Sequence, residues 1–168
     1  MSVRLLVRSA VLGALELVVF TAFSGILYLE AVTLTVVSVA CCLDRRTAVL
    51  SSVCFCVLNM LLIQGVTPWS LMYLGIYPVY SLIVRRLCRQ GMDRLKAAAL
   101  TGVLSFLTGQ ILQIPWLLFS GVLAAGYLLA GLQTSLVQGA LSAAMAWVLF
   151  EPLCRVLRHL SRTVPGGA

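Results

Sequence analysis

Charged residues are scarce in this sequence, which has five Asp or Glu, 12 Lys or Arg and one His among 168 residues. Soluble domains carry about a quarter of their residues as Asp, Glu, Lys and Arg, whereas here the share is 10%. The mean hydropathy of +1.06 and the apolar share of 61% indicate a chain surrounded mostly by lipid. These values exclude an ordinary soluble domain.

Reactive side chains are equally sparse. The single His159 lies in a basic tail, and the sequence contains no Ser-His-Asp set, no glycine-rich nucleotide loop and no paired carboxylates. Cys54 and Cys56 diverge by about 200° on a helix, which suits no shared metal. We expect no enzyme activity, no metal and no cofactor. We also expect all six thiols to stay reduced, without a disulfide framework: Cys41, Cys42, Cys54, Cys56, Cys88 and Cys154.

Basic residues are gathered in short intervals between long apolar runs. Five of the 12 lie within 84–96. A Lys or Arg at the centre of a bilayer helix costs about 2.5 to 3.5 kcal/mol, so this interval must lie outside the hydrocarbon. Basic loops spaced in this way are typical of membrane orientation, and we expect no nucleic-acid partner.

The apolar runs predict an all-α integral membrane protein, a single domain over residues 1–168 with six transmembrane helices in one bundle. About 20 residues of helix cross a hydrocarbon core of about 30 Å. Gly65 and Pro68 mark one turn between runs, and Ser120-Gly121 mark another. The predicted spans are 5–25, 28–43, 47–64, 69–86, 96–119 and 125–153, followed by a basic cytoplasmic tail at 154–168.

All Lys and Arg residues fall on one side of this predicted topology, at the termini or in the second and fourth connections. The opposite connections, near 22–30, 65–69 and 120–126, contain none. The positive-inside rule then predicts that both termini are cytoplasmic, in a multi-pass protein of the cell membrane, such as a bacterial plasma membrane. We call the side without basic residues the outer side.

Amides and aromatic rings concentrate in the outer half of the predicted spans. An unsatisfied amide in hydrocarbon costs several kcal/mol, so these groups should face the bundle interior. For the aromatic rings, a place in the belt at the membrane interface is the open alternative. Gln138 is deeper in the last span, and we expect it to contribute less. The candidate substrate-binding residues are Asn59, Trp69, Tyr73, Gln110, Gln113, Trp116, Tyr127 and Gln133.

Three carboxylates lie near the predicted hydrocarbon. Glu151 can pair with Arg155 four residues later, which accounts for it structurally. Glu16 is deeper, and both a partner helix and a ligand are open for it. Glu30 is the one carboxylate on the outer side, where the sequence has no cation. A neutral or weakly cationic ring compound therefore suits this side better than a strongly anionic one.

Several stretches resemble the S component of an energy-coupling factor (ECF) transporter, the small membrane protein that captures a vitamin or related micronutrient. The similarity covers nearly the whole chain in length, topology and hydropathy. It is carried by Ala10-x-x-x-Ala14, by the stretches 32–34, 43–48 and 55–61, and by Tyr127-Leu128-Leu129-Ala130-Gly131.

This resemblance implies a pocket open to the exterior, built from the outer ends of the helices. It also implies partners: a transmembrane coupling subunit, driven by two ATPase subunits, on which the face with Ala10 and Ala14 would dock. The chain would then supply specificity and no ATP hydrolysis. Its other surroundings would be membrane lipid.

The alternative is a structural membrane protein similar to the rod-shape protein MreD, acting through protein-protein contacts. That protein has a similar length and helix number, and an interaction surface needs no pocket. The third span, however, ends at 61–65 without the acidic residue expected there, and the outer amides would have no purpose.

Overall fold

The computed structural model describes residues 2–26, 28–89, 91–116 and 124–163, apart from the side chains of 124, 125, 127 and 161–163. In these residues every regular element is helical, which confirms the all-α prediction. A π-helical turn, Met60–Gln64, continues the third helix. The helices are α1 Val3–Phe23, α2 Val32–Cys42, α3 Arg45–Asn59, α4 Pro68–Cys88, α5 Arg94–Ile111 and α6 Ala124–Thr163.

Within the described residues, four helical stretches are long and apolar enough to cross a membrane: Val3–Phe23, Arg45–Gln64, Arg94–Trp116 and Leu128–Leu160. The 21 residues of α4 match α1 in length but include Trp, Tyr, Pro and Ser, which make it less apolar. These helices fit an integral membrane protein. The six-span topology and the cytoplasmic termini remain predictions.

Polar side chains cap three helices at the end of the bundle that carries the Lys and Arg residues. Ser2, Asp44 and Asp93 each accept a hydrogen bond from the backbone N–H three residues later. Such caps satisfy donors that a helix start leaves free. Partial burial opposes ionisation of Asp44, yet hydrogen bonds from the Thr47 hydroxyl and N–H, with the charge of Arg8, lower the pKa of Asp44. The basic end thus has the polar chemistry of an interface.

The second helix is shorter than the sequence predicts. Its 11 residues measure about 16 Å, half of a hydrocarbon core, where the sequence analysis expected a span over 28–43. Every residue from Val32 to Ala40 is buried, and α2 contacts all five other helices. The reason is that residues before Val32 do not continue the helix but enter the bundle as an irregular segment. The core of the protein is therefore built around α2.

Close helix pairs surround α2. At Gly13, where α1 meets α3, a Cβ atom would lie 2.7 Å from Cys54 Cβ and 2.8 Å from the Ser51 carbonyl oxygen. At Gly102, where α5 meets α6, a Cβ atom would lie 2.9 Å from the Gly139 carbonyl oxygen. Small residues allow membrane helices to approach in this way.

Two cysteines are joined at the basic end. The structure has a disulfide between Cys41 and Cys88, with the Cα atoms 5.5 Å apart, so the expectation of six free thiols is wrong for this pair. The cause is spatial, because the end of α2 packs beside the end of α4. Arg85 Nη1 also bridges these ends, 3.4 Å from the Ala40 carbonyl oxygen. The cysteines that remain free are Cys42, Cys54, Cys56 and Cys154.

Candidate functional site: a carboxylate inside the bundle

Residues 24–31 carry the chain from the outer end of α1 back into the bundle. Two turn-like hydrogen bonds, from Ile26 N to Phe23 O and from Leu29 N to Ile26 O, shape this segment. Tyr28 has a φ of 62°, in the left-handed region that a bulky residue rarely adopts. Irregular backbone at membrane depth is tolerated where protein buries it or where it lines a cavity. The segment ends at Glu30, beside the first turn of α2.

Four neutral donors from four helices bind the Glu30 carboxylate. Oε1 accepts hydrogen bonds from Thr33 Oγ1 at 2.6 Å and Tyr77 OH at 2.8 Å. Oε2 accepts from Ser105 Oγ at 2.6 Å and Gln138 Nε2 at 3.0 Å. These donors belong to α2, α4, α5 and α6, in that order. The two 2.6 Å distances are typical of a hydroxyl that donates to an ionised oxygen.

A fifth residue ties the Glu30 backbone into the same network. Ser142 Oγ lies 2.9 Å from the Glu30 carbonyl oxygen and 2.9 Å from Ser105 Oγ. The hydroxyl residues and Tyr77 are buried, whereas Glu30 and Gln138 are half-buried, so one side of the network is open. We call these residues the Glu30 cage: Glu30, Thr33, Tyr77, Ser105, Gln138 and Ser142.

The cage lies at middle depth in the bundle. Tyr77 is about 14 Å along α4 from Pro68, and Ser105 is about 9 Å along α5 from Ile111. The positive end of the α2 dipole also begins next to Glu30, and Arg85 binds carbonyls at the opposite end, about 16 Å away. The helix dipole and the hydroxyl groups thus stabilise the negative charge, but they do not neutralise it.

A series of aromatic rings continues from the cage toward α1. Tyr77 stacks on Tyr73 with centroids 5.4 Å apart, and it meets Phe55 edge to face at 5.4 Å. Phe20 follows at 5.9 Å from Phe55, and Tyr80 flanks Tyr77 at 6.3 Å. These distances suit favourable aromatic pairs. We call the five rings the aromatic column: Phe20, Phe55, Tyr73, Tyr77 and Tyr80.

Several of the predicted site residues meet at the outer ends of α4, α5 and α6. The rings of Trp69 and Trp116 are 5.4 Å apart, and Trp69 Nε1 donates to the Leu112 carbonyl oxygen at 3.1 Å. Gln110 Nε2 donates to the Gly131 carbonyl oxygen at 3.2 Å, and Gln113 Nε2 donates to the Gly109 carbonyl oxygen at 3.3 Å. This outer rim links three helices above the cage.

Other predicted residues have different surroundings. Asn59 is fully buried at the end of α3, and neither polar atom of its amide has a hydrogen-bond partner among the described residues. Tyr73 belongs to the aromatic column. Gln133 is exposed on α6, away from the cage, and the side chain of Tyr127 lies outside the described side chains.

Most of the cage is absent from the residues predicted from the sequence. Glu30 was recognised as the one outer carboxylate, near the first outer loop, and Gln138 was expected to contribute less than the outer amides. The signal available was the lone acid without a nearby cation, directly before a run of buried β-branched residues. The hydroxyl partners gave no such signal, because Ser and Thr are common in membrane helices.

Two further carboxylates differ from Glu30. Glu151 lies 3.2 Å from Arg94 and 3.7 Å from Arg155, which confirms the predicted pair and adds a second. Glu16 is buried between α1 and α3, where its oxygens have no hydrogen-bond partner within the described part of the chain. Ala10 and Ala14 are exposed on α1.

No family model, curated protein or solved structure matches this chain.

Proposed function

We propose that this chain is the substrate-binding membrane subunit of an ECF-type importer, which captures a vitamin or related micronutrient at the extracellular face. The observation that carries the proposal is the Glu30 cage, a polar site that four helices build inside an apolar bundle. An ionisable group inside a membrane is costly, and it commonly marks the pathway of a ligand or ion.

The surroundings of the cage suit the capture of a small molecule. Ligand sites combine apolar and aromatic walls with a few polar groups that fix orientation. Here the aromatic column supplies the wall, and the carboxylate and the half-buried Gln138 supply the polar groups. The outer rim, with Trp69 and Gln113, lies where a molecule would enter from the outer side.

Delivery of a captured molecule into the cell would need a partner complex that is driven by ATP. In this proposal the face of α1 with Ala10 and Ala14 docks on a transmembrane coupling subunit, which two ATPase subunits drive. Residues four apart share one helix face, and their small side chains permit close approach. Both alanines are exposed, whereas Gly13 is already packed against α3.

Reconstitution tests the transport proposal. Proteoliposomes would contain the chain with a coupling module, and they would be incubated with a defined mixture of vitamins. We expect mass spectrometry to find at least one component that accumulates only when ATP is supplied on the ATPase side. If no component accumulates and no small molecule co-purifies with the chain, the transport proposal is wrong.

A matched pair of variants tests the docking face. Ala10→Trp with Ala14→Trp should spare binding and abolish ATP-dependent uptake, because bulk prevents close packing. The control is Ala140→Trp with Ala144→Trp, which changes two alanines with the same spacing that are exposed on α6. Equal uptake by both double variants would contradict the docking assignment.

One observation favours the alternative, a structural protein similar to MreD. The four donors already give Glu30 a hydrogen bond at each of about four acceptor positions, which is what a purely structural carboxylate requires. Crosslinking in cells separates the two functions. Capture of cell-wall synthesis proteins without ATPase subunits would support the alternative.

A further inference from the structure

The Glu30 cage has balanced hydrogen bonds but unbalanced charge. Thr33, Tyr77, Ser105 and Gln138 donate as neutral groups. Every Lys and Arg lies toward the other end of the bundle, in the first two turns of α1, α3 or α5, at the end of α4, or in the last three turns of α6. Arg85 reaches α2, and it binds carbonyl oxygens at the end opposite Glu30. The contacts of the Glu30 carboxylate within the described part of the chain therefore include no cation.

A buried charge is stable when an opposite charge lies close to it. We propose that the Glu30 carboxylate is the counter-charge for the ammonium or amidinium group of an organic ligand with a single positive charge. The inference rests on the proposed substrate-binding function and names the chemical class of its substrate. An anionic ligand is disfavoured, since like charges repel in a site of low dielectric constant.

The open side of the cage is where the positive group would enter. Gln138 Nε2 is shared among three acceptors, at 3.0 Å from Glu30 Oε2, 3.3 Å from Ser105 Oγ and 3.4 Å from the Ser105 carbonyl oxygen. These are the longest bonds in the cage, and Gln138 is half-buried. An incoming N–H donor can replace Gln138 on Oε2 with a shorter, charge-assisted bond.

The aromatic column would hold the ring or apolar part of such a ligand. Tyr77 donates to Glu30 and stacks on Tyr73, so a cation at the carboxylate is also next to aromatic faces, which attract positive charge. Asn59 lies four residues after Phe55, hence on the face of α3 that meets the column. Its buried amide has no partner among the described residues, and a polar ring edge would provide one.

A charge series of nearly equal shape tests the assignment. The probes are benzamidinium with charge +1, benzamide with charge 0 and benzoate with charge −1, titrated against the purified full chain in detergent. Tryptophan fluorescence and the thermal midpoint report binding. We expect benzamidinium to bind at least about tenfold more tightly than benzamide, because its donors are charged, and benzoate to bind weakest.

Two variants test whether the preference for benzamidinium depends on Glu30. Glu30→Gln keeps the size of the side chain and removes the charge, so the preference for benzamidinium should fall by about tenfold or more. Glu151→Gln, at the carboxylate that pairs with Arg94, should keep the full preference. The comparison of the three probes on the wild-type chain needs no variant, so it decides the question even if Glu30→Gln fails to fold.

Four outcomes would overturn the inference. The first is a wild-type chain that binds benzamidinium no better than benzamide. The second is a Glu30→Gln variant, folded by circular dichroism, that keeps the preference. The third combines two results: sodium stabilises the wild-type chain more than potassium does, an effect that Glu30→Gln removes, and no organic cation is preferred. The site would then hold an inorganic ion. ATP-dependent uptake of a neutral or anionic vitamin would reject this inference and leave the proposed function standing.

Discussion

Glu30 and Glu151 are held in opposite ways, and the contrast separates the two ends of the bundle. Glu151 lies between Arg94 and Arg155 with its side chain 44% exposed, so the chain and the solvent neutralise its charge. Glu30 receives bonds from neutral donors inside the bundle, without a described cation in the contact. Glu151 is thus paired with cations of the chain, whereas the described contacts of Glu30 are all with neutral groups.

Removal of the two carboxylates gives the largest expected contrast. Glu30→Ala leaves several buried donors without an acceptor, and we expect the free energy of unfolding to fall by about 3 kcal/mol or more. Glu151→Ala should cost about 1 kcal/mol or less, because exposed ion pairs contribute little. Denaturant titration in detergent, followed by far-UV circular dichroism, measures both values. Equal losses would mean that the Glu30 cage does not differ energetically from the surface pair.

Deletion of single hydroxyl groups on α4 sharpens the contrast. Tyr77→Phe removes a donor to a charged oxygen and keeps the ring in the aromatic column, so we expect a loss of about 1.5 to 3 kcal/mol. The matched change is Tyr80→Phe, at a hydroxyl that accepts from Thr108 Oγ1 at 3.4 Å, and it should cost about 0.5 to 1 kcal/mol. The same unfolding titration measures both variants. A larger loss for Tyr80→Phe would mean that the bond from Tyr77 to Glu30 is not the stronger of the two.

Substitution of two glutamines of α6 should give a smaller difference in stability. Gln138→Ala removes one cage donor, and we expect a loss of about 1 kcal/mol. Gln133→Ala changes an exposed side chain and should stay within about 0.5 kcal/mol of the wild type. Thermal midpoints at one detergent concentration compare the two variants. The reverse order would mean that the hydrogen bonds of Gln138 do not stabilise the fold.

The smallest expected effect is the change of stability with pH that Asp44 causes at the basic end. The folded state lowers the pKa of Asp44, so Asp44 adds stability above the ordinary Asp pKa of about 3.9 and loses it as the pH falls through the lower folded value. Asp44→Asn keeps a capping residue without the charge. The variant should be less stable than the wild type by under about 1 kcal/mol at neutral pH, and this difference should shrink toward pH 3. A difference that is constant across pH would contradict the charge-dependent part of this cap.

The sequence was informative about the helices and about the side on which the polar groups lie. Apolar runs separated by basic intervals predicted helices that overlap those of the structure. The pairing of Glu151 with Arg155 was also predictable, because residues four apart on a helix are neighbours. Such local relations need no knowledge of how helices pack.

The length of α2 and the composition of the cage could not be predicted in this way. Residues 26–29 are as apolar as α2, so hydropathy alone does not distinguish an irregular segment from a helix. Gln138 meets Glu30 across 108 residues of sequence, a contact that only the tertiary packing determines. The polarity of the outer half was therefore readable, but the particular residues that surround the carboxylate were not.

The order of synthesis adds a consequence for Glu30. Its partners Tyr77, Ser105, Gln138 and Ser142 follow it by 47, 75, 108 and 112 residues. At ribosomal rates, the last of them is made roughly 5 to 20 seconds after Glu30. During that interval the nascent chain holds a carboxylate whose final donors do not yet exist, so the contacts that bury α2 are completed only after α6 has been translated. The helix at the centre of the folded protein is thus expected to be among the last to reach its place.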